Sequence, residues 1–114
     1  MRDYNDTASK FKIIGHPARL QILDMLRRGE TCVCHIETAL DKRQSYISQQ
    51  LMILRDAGLV ASRRDGLQVY YWLADEQIIS LLNWFYGDHD DDGLQCLDGC
   101  GCPHCVSVAV ADPV

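Results

Sequence analysis

The sequence predicts a mainly α fold with a small β-hairpin, ordered helix, helix, short helix, helix, strand, strand, helix, which is the order of a winged helix-turn-helix. Three observations lead there. Apolar residues recur at helical spacing through most of the first 57 positions. A tight connector, Asp41 to Arg43, joins a short helix to an amphipathic one. Residues 59–73 then switch to an alternation of two, the period of a strand. With 114 residues, 47% of them hydrophobic and 24% charged, the chain has the size and composition of one soluble domain.

Residues 8–14 read as a first helix that reaches back a few positions. Gly15-His16-Pro17 interrupts it, and Pro17 suits the first turn of the next helix, where a missing N–H costs nothing. Leu20, Leu23 and Leu26, flanked by Ile22 and Met25, give that second helix a broad apolar face up to Gly29. Thr31 is the expected N-cap of a short third helix over 32–40, which buries Val33, Ile36 and Leu40. The fourth helix, 44–57, sets Ile47, Leu51 and Leu54 on one face and Ser45, Ser48, Gln49, Arg55 and Asp56 on the other, and Gly58 stops it. In 59–73, Val69, Tyr71 and Leu73 alternate with Gln68, Tyr70 and Trp72, and Asp65-Gly66 is expected to make a type I′ hairpin turn. A fifth helix from Asp75 carries Ile78, Ile79, Leu81, Leu82 and Phe85, an apolar face broad enough to call for a partner surface. Beyond Gly87 the composition turns to Asp, Gly and Cys, so the chain divides into a folded unit over 1–86 and an acidic, cysteine-rich tail over 87–114.

Several function classes are excluded. No stretch approaches the roughly 18 consecutive apolar residues of a membrane span. The first residues lack the apolar core and cleavage site of a signal peptide, so the expected location is cytoplasmic. No nucleophile–base pairing or phosphate loop is legible, so neither an enzyme nor a small organic substrate is expected. The net charge of −5 is unevenly spread: residues 42–72 carry five basic groups against two acidic ones, whereas the tail holds six aspartates and no Lys or Arg. A basic middle segment in an acidic chain suits a local DNA footprint, because phosphate contact depends on the local field.

Six cysteines in a reducing compartment point to metal or thiol chemistry rather than a disulfide framework. Cys32 and Cys34 sit at the start of the short helix; Cys96, Cys100, Cys102 and Cys105 crowd into ten residues of the tail. Residues i and i+2 of a helix point about 200° apart. One ion can therefore hold both Cys32 and Cys34 only where that first turn is or becomes non-helical, which would strain the helix-turn-helix. Tetrahedral sulfur coordination takes four thiolates and some soft ions take three, so tail cysteines are needed to complete a site. Cys102-Pro-His-Cys105 matches a disulfide-oxidoreductase tetrapeptide but has only nine residues after it, too few for a thioredoxin domain. Asp88-x-Asp90-x-Asp92-Gly93 begins like a calcium loop, yet the twelfth position is Gly99 rather than Glu, so a solvated linker is the expectation. His35 and His104, each beside cysteines, read as bystanders.

His16-Pro17-Ala18-Arg19-Leu20-x-Ile22-Leu23, Thr31-Cys32-Val33-Cys34-His35-Ile36, Ile47-Ser48-Gln49-Gln50-Leu51-x-x-Leu54-Arg55-x-Ala57-Gly58-Leu59-Val60 and Arg63-Arg64-Asp65-Gly66 resemble the ArsR/SmtB family of metal-responsive bacterial repressors. The resemblance covers about residues 8–74, including the family's Cys-Val-Cys signature before the recognition helix. It implies a homodimer joined through the first and last helices. It also implies a recognition helix that places Gln44, Ser45, Tyr46, Ser48 and Gln49 in the major groove of operator DNA, with Arg63, Arg64 and Tyr70 of the wing on the flanking backbone. The expected function is a repressor released when arsenite, cadmium or lead binds the cysteine thiolates, with zinc a poorer fit. A thiol-redox or sulfur-stress sensor of the same fold is the alternative. Gln77 stands where a last-helix zinc site would have its first histidine, so that site is not expected.

Overall fold

The computed structural model describes residues 3–87, and the four tail cysteines lie outside the described residues. Five helices and three strands follow in the order α1 (Tyr4–Ile14), α2 (Pro17–Arg27), β1 (Thr31–Cys32), α3 (Val33–Leu40), α4 (Gln44–Asp56), β2 (Val60–Asp65), β3 (Gln68–Leu73) and α5 (Glu76–Tyr86). The winged helix-turn-helix read from the sequence is the fold observed. No described helix is long and apolar enough to cross a membrane.

Local chemistry sets the helix ends. Asp3 accepts hydrogen bonds from the backbone N–H of Asn5 and Asp6, so α1 starts at Tyr4, earlier than apolar periodicity alone indicates. His16 Nδ1 accepts from the N–H of Ala18, with Pro17 in the first turn of α2. Asp75 caps α5 by accepting from Gln77 and Ile78. Asp41, at φ 53°, takes the left-handed conformation that ends α3 and allows the tight turn into α4.

Three expectations are corrected. Thr31 does not cap α3: its hydroxyl donates to the Gly29 carbonyl at 2.9 Å, and the N-cap is Cys32, which makes no side-chain cap bond. Thr31 and Cys32 form a strand instead, pairing antiparallel with β3 through Thr31–Tyr71 and Cys32–Tyr70, so the wing is a three-stranded sheet in the order β1-β3-β2. The hairpin pairs Asp65 with Gln68, leaving Gly66-Leu67 as its two-residue loop. Gly66 has φ 64° and Leu67 does not have a positive φ, the glycine-first pattern of a type II′ turn rather than I′.

The core lies where α2, α3, α4 and the sheet meet. Ile22, Leu23, Ile36, Ile47, Leu51, Leu54 and Leu59 are all essentially solvent-free. Two arginines tie the helices together around it. Arg19 donates to Gln50 Oε1 of α4 at 2.9 Å and to the Ile13 carbonyl of α1 at 3.2 Å. Arg27 donates to Asp24, to Asn83 Oδ1 at 2.7 Å and to the Gly87 carbonyl at 2.7 Å, fixing the end of α5 against α2. These bonds satisfy a buried guanidinium that would otherwise be costly to desolvate.

Candidate functional site

Cys32 is buried at the end of β1, while Cys34 is half-buried in the first turn of α3. Because Cys32 has an extended backbone, φ −71° and ψ 143°, the 200° separation of helical i and i+2 residues does not apply to this pair. The two thiols converge: Cys32 Sγ lies 2.9 Å and Cys34 Sγ 3.6 Å from the same atom, Oε1 of Gln68 on β3. Cys32 thus meets the non-helical condition under which one ion could reach both thiols. Among the described residues no cluster of three or more Cys, His, Asp or Glu side chains could hold a metal.

Beside the thiols runs a cleft of about 270 Å³ walled by Cys34 and Glu37 of α3, Gln44 and Ser48 of α4, and Leu67, Gln68 and Tyr71 of the wing. It therefore touches Cys34, the shared acceptor Gln68, the start of α4 and the hairpin at once.

Along α4 the buried face is Ile47, Gln50, Leu51 and Leu54. Gln44, Ser45, Ser48 and Gln49 are exposed together at the start of the opposite face, as expected of residues that read a groove. Tyr46, on the same helix, packs half-buried against the core, with Lys42 Nζ 5.8 Å from its ring centre.

The wing is more constrained than the sequence reveals. Arg63 binds Glu30 through two hydrogen bonds, at 3.0 Å and 2.6 Å, and lies 3.7 Å from Asp65. Its guanidinium also stacks 4.7 Å from the centre of the Tyr70 ring. Hydrogen bonding to Arg63 holds the Glu30 carboxyl below the usual carboxylate range, and the same bond raises the Arg63 value. Arg64 is exposed, and among the described residues it makes no salt bridge. Of the two wing arginines, Arg64 is thus the one whose charge faces solvent unpaired.

Sequence reasoning missed Gln68 and Glu30. Neither belongs to a motif; each acquires its role from β1–β3 pairing, which a two-residue strand does not announce.

Residues 16–62 match the family model for bacterial regulatory proteins of the arsR family. The chain is 41% identical over 81 residues to the biofilm growth-associated repressor of Agrobacterium fabrum, covering 71% of this chain and 69% of the relative. It is 39% identical over 75 residues to the arsenical resistance operon repressor of Bacillus subtilis, covering 65% and 71% respectively. Among solved structures, HlyU from Vibrio cholerae superposes with a TM-score of 0.68 at 33% identity, covering 76% of this chain and 100% of that one. The homodimeric winged helix-turn-helix domain of Mb0332 from Mycobacterium bovis gives 0.65 at 36% identity, covering 71% and 75%.

A carboxyl held below its ordinary value contributes to stability where it is ionised, and that contribution is lost as pH falls through the lowered value. The Glu30–Arg63 contact is therefore expected to persist at neutral pH and open only in acid. Carboxyl NMR should show Glu30 titrating below the ordinary glutamate range in the wild type and within that range in Arg63→Gln. Identical titration in both proteins would show that the contact does not set the Glu30 value.

Proposed function

Because this chain belongs to the ArsR/SmtB family of transcriptional repressors, we propose that it is a homodimeric repressor that leaves its operator when a thiophilic ion binds Cys32, Cys34 and tail cysteines. The observation that carries the reading is the convergence of two thiols on Gln68, which with Cys34 lines a cleft shared by α4 and the wing. Each thiol gives up its proton as its sulfur takes up the ion: to solvent for cadmium or lead, and to a hydroxyl of arsenite that leaves as water when the arsenic–sulfur bond replaces the arsenic–oxygen bond. Soft ions such as arsenite, cadmium and lead suit an all-sulfur shell, and zinc suits it less well as a signal. Cys96, Cys100, Cys102 and Cys105 supply the third and fourth sulfurs. The Bacillus subtilis relative is named for arsenical resistance, which agrees with this class of inducer.

Gln44, Ser45, Ser48 and Gln49 are the base-reading candidates in this proposal, with Tyr46 contributing at the edge of the helix. Arg64 supplies a phosphate contact, and Arg63 and Tyr70 supply a second one when the pair with Glu30 opens. A second copy of the chain covers the apolar surface of α1 and α5. Tyr4, Phe11, Trp84, Phe85 and Tyr86 are exposed there, and an apolar cleft lies between Phe11, Ile14, Ile78 and Leu81. The similar Mb0332 domain is homodimeric, which agrees with a dimer of this chain. The folded unit over 1–86 thus reads DNA and dimerises, and the tail over 87–114 completes the sensor.

Operator binding separates the roles of these residues. Gln49→Ala should weaken binding by about 1–3 kcal/mol, the size of a lost base contact. Arg64→Ala should lower the slope of log affinity against log salt by about one, as expected for a phosphate contact. Wild-type behaviour of both variants across salt would remove the DNA-reading assignment.

Release tested side by side with arsenite, cadmium, lead, zinc and peroxide identifies the signal. Cys32→Ser and Cys34→Ser should still bind the operator but no longer release it. A chain ending at Gly87 should bind DNA and respond only at much higher ion concentrations. Release by peroxide alone would favour the redox alternative. Normal release by the Cys32 and Cys34 variants would mean that these thiols are not the sensor.

A further inference from the structure

We propose that Gln68 is the positioning residue through which an ion at the thiol pair acts on the wing, so that release from DNA runs through β3. The inference rests on the ion-sensing reading above and adds the route. Gln68 is the first residue of β3, directly after the exposed Gly66-Leu67 tip, and its Oε1 accepts from both Cys32 and Cys34. Both thiols thus hold this one side chain of the wing.

Register makes the connection specific. Cys32 of β1 lies opposite Tyr70 of β3, and Tyr70 lies opposite Arg63 of β2. Residues directly opposite in antiparallel strands share a face, and so do residues two apart on one strand. Cys32, Tyr70 and Arg63 therefore form one row across the sheet, with Gln68 diagonal to Cys32 on the same side. The Arg63 guanidinium stacked on Tyr70 completes the row. A sulfur that has taken up an ion has lost its S–H, so Gln68 loses both donors in one event. Its amide must then turn away from the pair or bring its oxygen to the ion, and either movement begins at the root of the hairpin tip. The cleft beside Gln68, shared with Gln44 and Ser48, gives the side chain room to move toward α4.

The test uses the full chain, cadmium chloride and a duplex carrying its operator. Gln68→Leu keeps the bulk and removes the acceptor; Gln68→Ala removes both. For each protein the readout is the ratio of operator Kd with and without cadmium, beside the sulfur-to-cadmium charge-transfer absorbance. A purely structural role for Gln68 would shift both Kd values together and leave their ratio alone. The proposal expects a wild-type ratio of about tenfold or more, the ordinary range of allosteric coupling. It expects the ratio to fall to within about threefold of unity in both variants while the charge-transfer band persists. A wild-type ratio in either folded variant, with the band present, overturns the relay and leaves the ion-sensing reading standing. A wild-type chain that develops no band overturns the ion-sensing reading and the relay with it.

Discussion

The two-residue pairing of β1 with β3 is the constraint on which the rest of the site depends. It is short, yet it takes Cys32 out of the helix and gives it an extended backbone. That one change of conformation lets two cysteines separated by a single residue share a hydrogen-bond acceptor. It also makes the strand bearing the first thiol part of the same sheet as the wing arginines. Had Thr31 capped α3, as its residue type favours, the thiols would have diverged and the wing would have been an isolated hairpin. Backbone pairing wins here because Thr31 is wholly buried in the sheet, and its hydroxyl is satisfied by the Gly29 carbonyl.

The charge distribution follows from the same connection. Glu30 is the residue just before β1, and the pairing brings it against Arg63 on the far strand. The contact is solvent-exposed, so its contribution to stability is small. Its effect is on which cation the wing presents. Arg63 is held by a carboxylate and an aromatic face, while Arg64 points its charge outward. A phosphate approaching Arg63 has to compete with Glu30 for the guanidinium. An exposed ion pair of this kind weakens with salt, which places a salt-sensitive contact on the same strand as the proposed DNA contacts.

Most of the architecture was legible in the sequence because it rests on periodicity and on strong local signals. Pro17 in a first turn, Ile47-Leu51-Leu54 on one face and the alternation in 68–73 each have a single physical reading. The failures have one origin. A strand of two residues has no period to detect, so β1 was invisible, and with it went the true N-cap, the geometry of the thiols and the roles of Gln68 and Glu30. The hairpin turn failed for a related reason. Asp65-Gly66 favours a type I′ turn when both residues form the loop, but the register moves the loop one position on, and Leu67 cannot readily take the positive φ of a I′ turn.

In the proposed mechanism thiol chemistry and DNA contact meet in one sheet, so that an ion at Cys32 and Cys34 is felt first in β3. Amide hydrogen exchange of the full chain, without DNA, with and without cadmium, tests this most directly. The account predicts that cadmium changes exchange first in β1 and β3, across Thr31–Cys32 and Gln68–Leu73. An unchanged sheet, with altered exchange confined to α4 or α5, would contradict it.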